Sequence, residues 1–292
     1  MFTTDKKRTN ANSSISLATN ISVYLGDAKD VLSRLESDCY QACITSPPYW
    51  GLRDYEIDGQ IGAEEVLDDY ITNLVQIFRE VYRVLTPDGT LWLNIGDSYT
   101  SGGRTWRAPD KKNPARAMTY RPATPAGLKP KDLIGVPWRV AFALQQDGWY
   151  LRSDIVWHKP NCQPESVKDR PTRAHEYLFL LSKSENYYYN YEAIQEISTG
   201  GKASKNRRSV WSINTQPFNG AHFAVFPPEL VELCMLAASV PGSSILDPFF
   251  GSGTVGQVCV QLNRICTGIE LNPDYLLVAK ERLSSLQGRL WA

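Results

Sequence analysis

A chain of 292 residues with 42% hydrophobic and only 21% charged residues can bury a full core, as one large domain or one domain with a small lobe, and wholesale disorder is excluded. Its 31 basic residues balance 31 acidic ones, so attraction to a polyanion has to come from local clustering of charge. Residues 1–20 are polar, with Lys6, Lys7 and Arg8 but no apolar run behind them; this reads as a flexible N-terminal arm, with no leader, no membrane span and a cytoplasmic location.

Past the arm, strand-like apolar runs alternate with helical periodicity. Residues 21–25 read as a strand, 28–35 as a short helix, and 42–45 as a buried strand running into a proline turn. Leu67, Ile71, Leu74, Phe78, Val81 and Leu85 give 64–85 the spacing of an amphipathic helix, which Pro87-Asp88-Gly89 stops before a strand over 90–95. The stretch 99–131 is rich in Gly, Pro, Arg and Lys without periodicity and reads as a long loop. A helix over 133–146 and strands over 153–157 and 176–181 follow, then a second polar stretch over 192–219. The chain ends in helix 228–239, strand 244–246, helix 254–262, strand 265–269 and helix 273–286, the last with proline in its first turn. Such alternation predicts a parallel or mixed sheet with helices on both faces. Cys39, Cys43, Cys162, Cys234, Cys259 and Cys266 lie in apolar runs without metal-ligand spacing, which points to reduced core thiols and no metal.

Two strings at strand ends carry chemistry. In Thr45-Ser46-Pro47-Pro48-Tyr49-Trp50 the prolines stiffen the turn and leave carbonyl oxygens to accept from an amine, Ser46 adds a hydroxyl acceptor, and Tyr49 offers a flat face for stacking a base. In Asp247-Pro248-Phe249-Phe250-Gly251-Ser252-Gly253-Thr254 the glycines let backbone approach a ligand at the start of a helix whose free amides favour a negative group. Glu270, at the end of the next strand, stands where a carboxylate can accept from ribose hydroxyls. Gly251, Gly253 and Gly256 stand at the Gly-x-Gly-x-x-Gly spacing, and such a turn alone is a weak signal for one nucleotide-like cofactor over another.

Together these strings resemble the amino-methyltransferases of DNA, in the permuted order where the catalytic motif precedes the cofactor motif, the beta group. The resemblance covers nearly the whole chain. It implies S-adenosyl-L-methionine as cofactor and an α/β Rossmann-like methyltransferase fold: a mostly parallel seven-stranded sheet with one antiparallel strand and helices on both faces. It implies catalytic roles for Ser46, Pro47, Pro48 and Tyr49, and cofactor contacts from Asp27, Thr45, Phe226, Pro227, Asp247, Pro248, Phe249, Gly251, Ser252, Gly253, Thr254 and Glu270. Arg170-Pro171-Thr172 and His175-Glu176 match a family stretch near the target-base pocket. Residues 21–292 are then one methyltransferase domain, with a basic insertion at about 99–131 and a short candidate target-recognition region at about 191–224.

Arg104, Arg107, Lys111, Lys112, Arg116 and Arg121 in the first polar stretch, with Lys202, Lys205, Arg207 and Arg208 in the second, are candidate contacts to double-stranded DNA. The bland alternative for the first stretch is a solvated surface insertion. The serine form of the catalytic motif, preceded by Ile44-Thr45, resembles the cytosine-N4 group, with adenine N6 as the alternative. A methyltransferase for RNA or protein, or a silent DNA-binding relative, is more distant; protein-amide enzymes typically carry Asn before the prolines. The resemblance leaves room for a homodimer and for a cognate restriction endonuclease.

Overall fold

The computed structural model describes residues 14–55, 57–101, 106, 121–198, 204–216 and 226–290. Among them the elements run β1 (Ile15–Ala18), β2 (Ile21–Leu25), α1 (Ala28–Leu32), β3 (Tyr40–Thr45), α2 (Leu67–Val84), β4 (Leu85–Ile95), α3 (Val136–Gln146), β5 (Tyr150–His158), β6 (His175–Ser182), β7 (Glu196–Ile197), β8 (Ser204–Lys205), β9 (Val210–Ser212), α4 (Pro228–Ala238), β10 (Ser244–Asp247), α5 (Thr254–Gln261), β11 (Ile265–Glu270) and α6 (Pro273–Leu290).

One nine-stranded sheet has the order β1-β2-β11-β10-β3-β4-β6-β5-β9. From β2 to β4 all neighbours are parallel, β6 runs against both β4 and β5, and β5 is parallel to β9. The expected seven strands with one reversed are thus β2 through β5, with β6 the reversed one. The count is nine because β1 and β9 extend the two edges. Strand β1 lies inside the expected arm: Leu17 and Ala18 are buried, and its antiparallel ladder to β2 satisfies backbone groups that an arm would leave to water.

Helix α2 forms because Leu67, Tyr70, Leu74, Ile77, Phe78, Val81 and Val84 recur every three or four residues and all are buried. Acidic Asp68 and Asp69 in its first turn and basic Arg83 in its last complement the helix dipole. Helix α3 starts three residues later than its periodicity suggests, at Val136, because Gly135 takes a left-handed backbone (φ 78°) and Pro137 fits only a first turn. Helices α1, α2 and α3 bury their apolar sides on one face of the sheet, and α4, α5 and α6 on the other. The second polar stretch contributes the β7–β8 hairpin and edge strand β9. Four cysteines are buried as expected, whereas Cys39 is exposed and Cys162 half-buried.

The helix after β3 and the helix after β10 lie on opposite faces although the two strands are neighbours. This is the point where the winding reverses, and the crevice it opens beyond the carboxyl ends of the strands is where open α/β sheets bind ligands.

Candidate active site

Both strings occupy that edge. Ser46 follows the carboxyl end of β3, Asp247 ends β10 and Glu270 ends β11, while the reversed direction of β6 brings its first residues, His175 and Glu176, to the same side. The strings are joined directly: the Thr45 hydroxyl donates to Asp247 Oδ1 at 2.7 Å, across the β3–β10 boundary.

Around the proline turn, Pro47 is buried while Ser46, Pro48 and Tyr49 are half-buried. The Ser46 hydroxyl donates to the Tyr49 hydroxyl at 3.4 Å, and Tyr49 contacts Glu176 Oε2 at 2.8 Å and Asn94 Oδ1 at 3.2 Å. Burial, and next the Glu176 charge, push the Tyr49 phenol well above its ordinary pKa, so it stays a neutral hydroxyl. Glu176 also pairs with Lys159, whose ammonium lies 4.1 Å from the centroid of the Trp157 ring. Gly96, just after β4, makes room for the tyrosine: a Cβ there would come within 2.6 Å of the Tyr49 ring. The carbonyls are not all free, since the Tyr70 hydroxyl donates to Pro48 O at 2.9 Å. Next to this turn, Asp97 accepts from the amides of Ser98, Gly135 and Val136 and faces Arg173 at 3.6 Å, which fixes the start of α3 against the loop after β4.

At the glycine turn, Asp247 Oδ1 also accepts from the Phe249 amide at 3.1 Å, and burial pushes its carboxyl up to about 7. Glu270 receives the Gly251 amide at 2.7 Å and the Asn272 amide at 2.8 Å; burial raises its pKa and those amides oppose the rise. Gly251 and Gly253 both have left-handed φ, of 52° and 78°. The Phe250 ring fills the space that side chains at positions 256 and 268 would need, so these glycines serve packing rather than a ligand. Arg282 of α6 reaches behind the turn to Ser252 Oγ at 3.2 Å and Thr254 Oγ1 at 2.9 Å; burial lowers its guanidinium to about 10, still cationic at neutral pH. Asp27 caps α1 by accepting from the Asp30 amide at 3.0 Å, and Pro227 stands at the N-cap of α4 with half-buried Phe226 packed on the core. Phe249 is half-buried and Pro248 buried.

A profile described as DNA methylase, covering N6 and N4 enzymes, matches residues 40–281. The chain belongs to this DNA methylase family. It is 64% identical over 262 residues to the type II methyltransferase M.SmaI of Serratia marcescens, covering 89% of this chain and 90% of that one. In fold it is similar to the PvuII DNA methyltransferase (cytosine-N4-specific), with a TM-score of 0.68 at 20% identity over 93% of each chain. It is also similar to a putative DNA modification methylase of Thermus thermophilus complexed with S-adenosyl-L-methionine, with a TM-score of 0.62 at 22% identity, covering 90% of this chain and 93% of that one.

The candidate DNA contacts of this methylase divide in two. Arg104, Arg107, Lys111, Lys112, Arg116 and Lys202 lie outside the described residues. Of the others, Lys205 pairs with Glu196 at 3.3 Å and Arg208 with the same carboxylate at 3.7 Å, while Arg207 donates to Ile194 O at 2.8 Å. These cations hold the second polar stretch together, and exposed Arg208 is the one with most of its surface left for a phosphate. Arg121 lines a small cavity beside Trp50 and Tyr99. Residues that the motif reading did not single out are Asn94, Asp97, Lys159, Arg173 and Arg282. Only Glu176 had a signal, its place in the His175-Glu176 pair.

Proposed function

We propose that the chain methylates the exocyclic amine of a base flipped out of duplex DNA, with cytosine N4 as the target atom. The observation that carries this reading is the Thr45–Asp247 hydrogen bond, which sets the acceptor turn and the glycine turn side by side at the reversal of the sheet. The residues fit S-adenosyl-L-methionine, the methyl donor of DNA methylases. A buried carboxylate at Asp247 suits an α-ammonium, Glu270 suits ribose hydroxyls, and the Gly251–Thr254 turn, backed by the Arg282 cation, suits a carboxylate. When bound, this group supplies an electrophilic methyl on a sulfonium, transferred directly to nitrogen.

The protein's task is to hold and polarise the amine in line with that methyl. Ser46 gives its own proton to Tyr49, which leaves its lone pairs for an amine N–H, and Pro47 O is the second acceptor because Pro48 O is engaged by Tyr70. The Tyr49 face stacks the base, worth about 1–3 kcal/mol against the cost of unstacking it from the duplex.

Cytosine is favoured over adenine by the Ser46 form of the motif. Residues 15–292 act as one domain, β1 included, with the basic insertion at 99–131 tracking phosphates and 191–224 contributing to target recognition. The type II relative supports a cognate restriction endonuclease in the same cytoplasm; a homodimer is compatible with this reading. Mass spectrometry of DNA modified in vitro and digested to nucleosides tests the assignment, with N4-methylcytosine expected. N6-methyladenine alone would overturn the target base, and no methylated base would overturn the reading.

A further inference from the structure

Methyl transfer to an exocyclic amine leaves the nitrogen with one proton too many, and an N-protonated aromatic amine is a strong acid that needs a base within reach. Most carboxylates at this edge of the sheet are held by groups that cannot relay a proton. Glu270 is held by two backbone amides, and Asp97 by three amides and Arg173. Asp247 accepts from Thr45 on the cofactor side. Glu176 differs: its Oε2 faces the Tyr49 hydroxyl at 2.8 Å, and that hydroxyl in turn accepts from Ser46 at 3.4 Å. Hydroxyls both donate and accept, so this is a continuous chain from the acceptor turn to a carboxylate.

Resting on the reading of Ser46 as the group that holds the target amine, we propose that Glu176 is the terminal proton acceptor of the reaction, reached through Ser46 and Tyr49. As the new N–C bond forms, the surplus amine proton passes to Ser46 Oγ, the Ser46 proton to Tyr49 Oη and the Tyr49 proton to Glu176 Oε2. Both hydroxyls end neutral, and the positive charge generated at nitrogen is cancelled on the carboxylate. Tyr49 serves as a relay and not as a base, in keeping with a phenol whose ionisation burial opposes. Lys159, from just beyond β5, holds the other oxygen of Glu176 and keeps Oε2 turned to the tyrosine. Asn94 from β4 supports the same geometry, donating to Tyr177 O at 3.1 Å. Among the described residues, the other titratable groups around Glu176 include His175 beside it, kept towards its neutral form by burial and by Arg173 and Lys159, His158 opposite His175 on β5, and Asp97 beyond Arg173.

The test is single-turnover methyl transfer at saturating S-adenosylmethionine and DNA across pH, with cofactor affinity measured separately by calorimetry. Glu176→Gln keeps the volume and a hydrogen-bond acceptor for Tyr49 but cannot take up a proton. It should bind the cofactor as the wild type does, react about 100-fold more slowly, and lose the fall in rate at acid pH. Tyr49→Phe severs the chain, and the double variant should be no slower than the slower single one. A Glu176→Gln protein with the wild-type rate, or one that is slow yet keeps the acid limb, overturns the relay. If Glu176→Gln fails to bind cofactor, Tyr49→Phe decides: an acid limb that survives in it overturns the relay, and its loss supports it. A wild-type protein that leaves DNA unmethylated refutes the function itself, a result separate from either.

Discussion

Cofactor affinity should rise with pH through neutrality, because Asp247 sits at 1% exposure with a carboxyl pushed up to about 7, by burial first and with the Glu270 charge adding to it. Its Oδ1 is occupied by Thr45 and Phe249, which leaves Oδ2 to meet a ligand ammonium. Only the ionised form attracts that cation. At pH 5.5 roughly 3% of the free protein is ionised at Asp247, so affinity should drop about 30-fold from its value at pH 8.5, or about 2 kcal/mol. The linkage to stability has the opposite sign. The folded carboxyl binds its proton more tightly than the unfolded one, so the ligand-free protein is favoured by this side chain at acid pH and loses that advantage as pH rises towards about 7. Titration calorimetry at several pH values, with Asp247→Asn alongside, measures both affinities. The variant should show weak, flat affinity. A wild type with constant affinity over this range would refute the reasoning, and a variant with the full slope would hand the titration to Glu270.

Glu270→Ala should weaken S-adenosylmethionine binding and also lower the melting temperature, since it strands the Gly251 and Asn272 amides at about 1–3 kcal/mol; a variant with unchanged affinity in calorimetry would remove Glu270 from the ribose role. Gly268→Ala should destabilise the fold by about 1–3 kcal/mol in denaturant titration, because its Cβ would overlap the Phe250 ring. Neutralising Lys111, Lys112 and Arg116 together should reduce the slope of log affinity for duplex DNA against log salt by up to about 3; an unaltered slope would reassign the stretch to a solvated insertion.

The alternation of strands and helices, and the two strings at strand ends, were legible because each depends on local patterning: α2 declares itself by seven buried positions at helical spacing, and Gly251 and Gly253 by backbone angles that favour glycine. The edges of the sheet were not legible. Ile15–Ala18 and Val210–Ser212 are too short to show a period, and they become strands only because β2 and β5 offer them unpaired backbone. Nor could spacing reveal that a carboxylate 127 residues from Tyr49 accepts its proton, or that Tyr70 occupies Pro48 O. The sequence by itself determined which residue types stand at the turns, since turn chemistry and strand termination are written in neighbouring residues. The tertiary structure decided which of them face one another. Strand order and the reversed direction of β6 are set by packing of distant segments, and that packing brings Thr45 to Asp247 and Glu176 to Tyr49.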